Sequence, residues 1–287
     1  MRLRRLLRWR FVGWLAIVAL PLAVWAFWLE PASLVVRETR LDLPAWPVEC
    51  DGLRVALLAD LHVGSPFNGR GKLDEIVRRT QEARPDLILL GGDYVIQGVP
   101  GGRFVPPEET AAVLGRLKAP LGVWAVLGNH DWWLDGPRVR AALETAGIPV
   151  LDDQAKELTR GACHFWLAGI SDLWEGKHDV TGTLAGIPPG GPLLVFTHNP
   201  DLFVDIPPRV TLTLAGHTHG GQVWLPVLGR PIVPSRYKQR FAIGHIVEQG
   251  RHLFVSPGLG TSILPVRFLV PPEISVVRLE SHGGSGL

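Results

Sequence analysis

Cysteine is scarce, with two in 287 residues, too few for a thiolate-rich zinc or iron–sulfur centre. Neither a glycine-rich dinucleotide fingerprint nor a P-loop sequence occurs, which excludes the nucleotide sites built on them. Repeats and disordered-type composition are missing as well. Charge of one sign is also lacking once position is considered. The formal net charge is +2, yet Arg2, Arg4, Arg5, Arg8 and Arg10 stand in the first ten residues, and without those five the remainder carries −3. A basic face for nucleic acid is therefore not supported. What is present, 46% hydrophobic residues with 33 glycines and 25 prolines, fits a loop-rich globular enzyme.

Phe11 to Leu29 is a run of nineteen residues without a charge, with Trp14, Trp25 and Trp28 near its ends. As a helix it measures ~28 Å, about one bilayer core. Pro21 kinks such a helix without forbidding it. The arginines ahead of it stay cytoplasmic, so the catalytic part is expected on the other side of the membrane. A cleavable signal peptide is the rival reading. Bulky residues in Ala23-Val24-Trp25 and Ala26-Phe27-Trp28 stand where cleavage needs small ones, which favours an uncleaved anchor. Cys50 and Cys163 either bridge in an exported domain or remain separate. Spacing does not supply the geometry a bridge demands, and two unpaired, buried thiols are the expectation.

Residues 30–51 read as a linker that becomes a first strand. Leu53 to Ala59, Leu87 to Leu90 and Val123 to Leu127 follow as short apolar strands, interleaved with helical patterns over Lys72 to Ala83, Pro107 to Lys118 and Pro137 to Ala146. Strand and helix in alternation imply a parallel sheet. The later half is strand-rich, over Cys163 to Ile170, Leu193 to Thr197, Val210 to Ala215, Phe241 to Val247, His252 to Val255 and Ile274 to Leu279. The organisation is a basic tail (1–10), an anchor (11–29), a linker with the first strand (30–51) and one catalytic domain (52–287).

Five polar clusters end apolar runs: Asp60-Leu61-His62, Gly92-Asp93, Gly128-Asn129-His130-Asp131, Thr197-His198 and Gly216-His217-Thr218-His219. As donors for a site of two divalent cations they supply two aspartates, an asparagine and four histidines, with one histidine and one aspartate, His130 and Asp131, to spare. Ligands of open α/β sheets bind beyond the carboxyl ends of strands, where these clusters fall. His164, His178, His245, His252 and His282 lie outside every cluster and read as ordinary structural histidines.

In that order the clusters resemble the calcineurin-like metallophosphoesterase superfamily, over about Leu53 to Leu279. The anchor, Gly220-Gly221-Gln222 and Leu264-Pro265-Val266-Arg267 resemble a membrane-associated bacterial phosphodiesterase branch of it. The resemblance implies a four-layer α/β/β/α sandwich of two mixed sheets, here preceded by one transmembrane helix. It further implies two divalent ions (Mn, Fe or Zn), one held by Asp60, His62 and His219, the other by Asn129, His198 and His217, with Asp93 bridging.

The implied reaction is attack of a metal-bridging hydroxide on a phosphodiester or pyrophosphate, at the bacterial inner (cytoplasmic) membrane. His130 is the candidate to stabilise charge or protonate the leaving group. Asp131 either orients that imidazole or caps a helix or loop. Gln97 to Pro107, a long flexible stretch after Asp93, is a candidate border of the site, and Trp132, Trp133 and Val223 to Leu228 are candidates for an apolar rim or, at least as readily, for core. A lipid-linked substrate suits an apolar rim. Arg236, Lys238, Arg240 and above all Arg267 are candidate phosphate clamps. A cytoplasm-facing UDP-diacylglucosamine pyrophosphatase-like enzyme and a non-catalytic metal-binding scaffold are the other readings.

Overall fold

The computed structural model describes Ile17 and residues 19–281. The five N-terminal arginines, Phe11 to Ala16, Val18 and His282 lie outside the described residues. Ile17 and residues 19–24 are helical, Trp25–Leu29 forms a π-helical turn, and Glu30–Ala32 ends the N-terminal helix. Among the described residues no helix is long and apolar enough to cross a membrane. The stretch expected to be an anchor begins outside them.

Strands β1 (Val35–Leu43), β2 (Leu53–Leu58), β3 (Leu87–Leu90), β4 (Val123–Ala125) and β11 (Glu273–Ser281) form one mixed sheet in the order β1-β11-β2-β3-β4. Its β2, β3 and β4 are parallel, as the alternation of strands with helices α1 (Arg70–Glu82) and α2 (Pro107–Leu114) requires. A second mixed sheet runs β5-β6-β7-β8-β10-β9, from β5 (Gln154–Arg160), β6 (Cys163–Ile170), β7 (Leu193–Thr197), β8 (Leu212–Ala215), β9 (Gly244–Glu248) and β10 (Arg251–Val255).

Three apolar cores separate these layers. One lies between the first sheet and helices α1, α2 and α3 (Asn129–Thr145), and includes Ile76, Ile88, Leu114 and Leu143. The next lies between the sheets, where Leu57 and Leu89 meet Phe165, Phe196 and Leu214. The last covers the outer face of the second sheet with α4 (Val180–Ala185) and the turn Pro200–Asp205. The sequence is therefore a mixed α/β fold with two sheets face to face, as its pattern implies.

Two expectations are corrected. Cys50 and Cys163 are disulfide-bonded, with Cα atoms 4.7 Å apart and a sequence separation of 113. The fold, not the spacing, brings them together, at the ends where β2 and β6 begin. The third helix starts at Asn129 and not near Pro137. It is broken at Asp135, whose φ of −179° interrupts the helix just before Pro137.

Candidate metal centre

The carboxyl ends of β2, β3, β7 and β8 open on one edge of the sandwich, and the clusters after them converge there. Asp60, His62 and His219 bring one donor atom each within 4.8 Å of one another, and so do Asp93, His198 and His217. Asp93 Oδ2 lies 3.4 Å from both His62 Nε2 and His198 Nε2, so one carboxylate joins the two groups. Asn129 Oδ1 is 3.2 Å from His198 Nε2. All seven residues are buried.

Backbone conformation confirms that this edge is unusual. Asp60, His62, Asp93, His217 and His219 all have positive φ, between 40° and 69°. Left-handed backbone costs side-chain-bearing residues energy, and it concentrates at functional sites where surroundings over-determine it. Gly92, at φ 88°, and Gly128 permit the close approach: a Cβ on Gly128 would lie 2.3 Å from Asp93 Oδ1, and one on Gly92 2.5 Å from Gly128 N.

The histidines are presented by second partners. His62 Nδ1 faces Val95 O at 3.1 Å and His198 Nδ1 faces Gly91 O at 2.8 Å, so each ring donates there and turns the Nε2 lone pair inward. His62 Nε2 then meets His219 Nε2 at 3.2 Å, and His198 Nε2 meets His217 Nδ1 at 3.0 Å. Burial holds His62 down to about 4 and His217 to about 3, which keeps their rings neutral. Around His198, by contrast, burial is outweighed by Asp93, Asp60 and Asp172, which drive its pKa up. Three buried carboxylates thus call for positive charge at this point. Imidazoles, an amide oxygen and carboxylates in this array fit divalent cations.

His130 lies against both groups, its ring 4.7 Å edge-on from that of His62 and its backbone N–H donating to Asp93 Oδ1 at 2.9 Å. Its Nδ1 is buried without a partner. Asp131 does not orient that imidazole. Its carboxylate accepts backbone N–H groups of Asp93, Tyr94 and Gly128 at 2.8–2.9 Å, closing the start of α3 on the β3 loop. The helix and loop alternative is the one realised, and Asp131 braces backbone.

Arg267 is likewise corrected. It is wholly buried, and its guanidinium donates to the carbonyls of Pro257, Gly258, Gly260 and Val270 at 2.6–3.2 Å. It holds the loop whose Gly260 N–H donates to Asp60 O at 2.6 Å, and no group is left for a phosphate. Arg236, Lys238 and Arg240 are exposed and do not line the groove, and Arg240 pairs with Glu248 at 2.5 Å.

A groove of about 660 Å³ leads from Asp93, Asn129, His130, His217 and His219 outward. Gln97 and Gly98 border it, as expected of that loop, while Val223, Ile232, Leu264 and Val266 form an apolar arm. Trp133 stands on its wall with Nε1 donating to Glu175 at 2.6 Å, whereas Trp132 packs on the α-helical core. Sequence reasoning missed two neighbours. Trp174 stacks on Trp133 and meets the His217 ring edge-on at 4.6 Å. Asp172 is buried with Oδ1 unpartnered and follows the end of β6 as Asp60 follows that of β2. That strand-end position was the signal available for it.

The profile of the calcineurin-like phosphoesterase family matches residues 53–221, and the chain belongs to that family of metal-dependent phosphoesterases. It is 32% identical over 263 residues to the uncharacterized metallophosphoesterase YkuE of Bacillus subtilis, covering 90% of this chain and 89% of that protein. It is also 33% identical over 236 residues to the phosphodiesterase YaeI of Escherichia coli, covering 79% and 82%. A transmembrane protein with metallophosphoesterase domain from Danio rerio is 30% identical over 269 residues, covering 88% of this chain and 58% of that one.

Proposed function

We propose that this chain is a two-metal hydrolase of phosphodiester or pyrophosphate bonds, anchored in a membrane and acting outside the cytoplasm on a lipid-linked or cell-envelope phosphate. One observation carries the reading. The single Asp93 carboxylate, 3.4 Å from a histidine of each group, joins the donors Asp60, His62 and His219 to the donors Asn129, His198 and His217. When bound, two divalent cations supply Lewis acidity toward the oxygens of a phosphate group.

The chain's own residues do the rest. His62 and His198, fixed by their carbonyl partners, hold Nε2 pointing inward. His130 carries a free ring nitrogen beside them and donates to the phosphoryl or leaving oxygen. Trp133 and Trp174 wall the reacting centre, and the apolar arm receives the hydrocarbon part of the substrate.

Location is supported from two sides. The first ten residues carry five arginines ahead of an uncharged stretch, which suits an anchor with its start in the cytoplasm. A Cys50–Cys163 bond is at home in an oxidising compartment, which favours this reading over a cytoplasm-facing pyrophosphatase. Full-length protein in detergent should hydrolyse an aryl phosphodiester with manganese. No turnover with Mn, Fe or Zn would overturn the hydrolase reading. A reporter fused at Leu287 and active only in the cytoplasm would overturn the orientation.

A further inference from the structure

Two segments beside the groove carry almost no charge. Over residues 223–234 the sole ionisable side chain is Arg230, whose guanidinium turns inward to Gly220 O, and over 262–272 it is the buried Arg267. The apolar side chains of the same segments point out: Val227 is 103% exposed, Leu228 72%, Ile232 73% and Ile263 70%, with Trp224 and Leu264 beside them. Patches of this kind on a soluble surface mark an interaction site.

Packing does not explain these side chains, and backbone energetics oppose them. Val227, at the tip of the turn closed by Leu225 and Gly229, has φ 75°, and Ile263 has φ 64°. Left-handed backbone is strongly disfavoured for β-branched residues. Both tips therefore hold costly, water-exposed β-branched residues where glycine or asparagine would be at ease.

The occupant is indicated by continuity with the N-terminal helix. Arg267 N–H donates to Ala26 O at 2.9 Å, and the buried Glu30 carboxylate accepts the N–H groups of Leu269 and Val270. The helix so docked exposes Leu20, Phe27, Trp28 and Leu29, and the chain before it runs apolar back to the arginines. Trp224, Trp25 and Trp28, all exposed, are suited to a membrane–water interface.

We infer that the loops at the groove mouth, with Val227 and Ile263 at their tips, form a bilayer-contact surface, so that the metal centre opens at the plane of the membrane. This rests on the anchored reading but not on the hydrolase one. Full-length Val227→Cys, Leu228→Cys and Lys118→Cys variants would carry a thiol-linked fluorophore. They are reconstituted into phosphatidylethanolamine–phosphatidylglycerol vesicles containing doxyl-labelled lipid. Lys118 is exposed in the loop that enters β4, at the opposite end of the sheet. Loss of emission is expected at 227 and 228 and not at 118. Equal quenching at the three positions overturns the inference while leaving aryl phosphodiester hydrolysis, measured on the same samples, untouched. Failure of the chain to float with vesicles overturns both this inference and the anchor.

Discussion

The carboxylate of Asp131 accepts the backbone N–H of Asp93 at 2.8 Å, so the start of α3 is tied to the residue that joins the two donor groups. Gly128 and Tyr94 donate to the same carboxylate at 2.9 Å each. Asp131→Asn replaces an acceptor oxygen by an N–H donor facing these amides, at a cost of about 1–3 kcal/mol. Thermal denaturation should show a lower Tm, and metal analysis a reduced retention of ions. An unchanged Tm would mean that the brace is dispensable.

His130→Ala separates catalysis from metal binding. Its Nδ1 is unpartnered, and although His130 also brings a donor within 4.8 Å of His62 and Asp93, each of the two donor groups has three members without it, so kcat for an aryl phosphodiester should fall by about 10²–10⁴. Metal content should stay at the level of the unmodified protein. A fall in metal content matching the loss of rate would make His130 a ligand.

Asp93→Asn should act on both groups together. Its carboxylate reaches His62 and His198 at 3.4 Å each, and an amide removes the shared charge. Elemental analysis after dialysis should show loss of both ions and not of one. Retention of a full complement would sink the bridging role.

Arg267→Lys distinguishes a clamp from a brace. One ammonium cannot satisfy the four carbonyls that the guanidinium holds, which leaves an unpaired group costing about 1–3 kcal/mol. Burial has already drawn this guanidinium down to about 10, still charged at neutral pH. The variant should lose stability in a denaturant titration and show little change in KM. A large rise in KM with stability intact would restore the phosphate-clamp reading.

Strands buried over most or all of their length were legible because their composition alone marks them. Leu87–Leu90 and Leu193–Thr197, wholly buried, and Cys163–Ile170, buried but for His164 and Trp166, have the bounds their apolar runs suggest. Strand β5 was not, since Leu158 is its single buried residue and pairing with β6 holds an otherwise polar edge. The donor residues were legible as clusters because each sits where a strand stops. What Asp131 and Arg267 do was not, because the acceptors and donors they serve are main-chain groups on loops distant in sequence. The Cys50–Cys163 bond depends in the same way on how two sheets stack.

Cys163→Ser should cost about 4–5 kcal/mol by chain entropy alone, as the bond closes a loop of 113 residues. Denaturant titration with and without reductant measures it. Specific activity should persist, because the bond lies at the end of the strands away from His130.

The disulfide and the donor clusters occupy opposite ends of the same pair of sheets, and each draws residues from both. Asp60, Asp93 and Asn129 come from the first sheet's loops, and His198, His217 and His219 from the second's. The sandwich is therefore a book closed by two independent clasps, one answering to thiol redox state and the other to metal supply. A reductant and a chelator should each loosen one margin, while the core of Leu57, Leu89, Phe165, Phe196 and Leu214 between the sheets keeps the layers together.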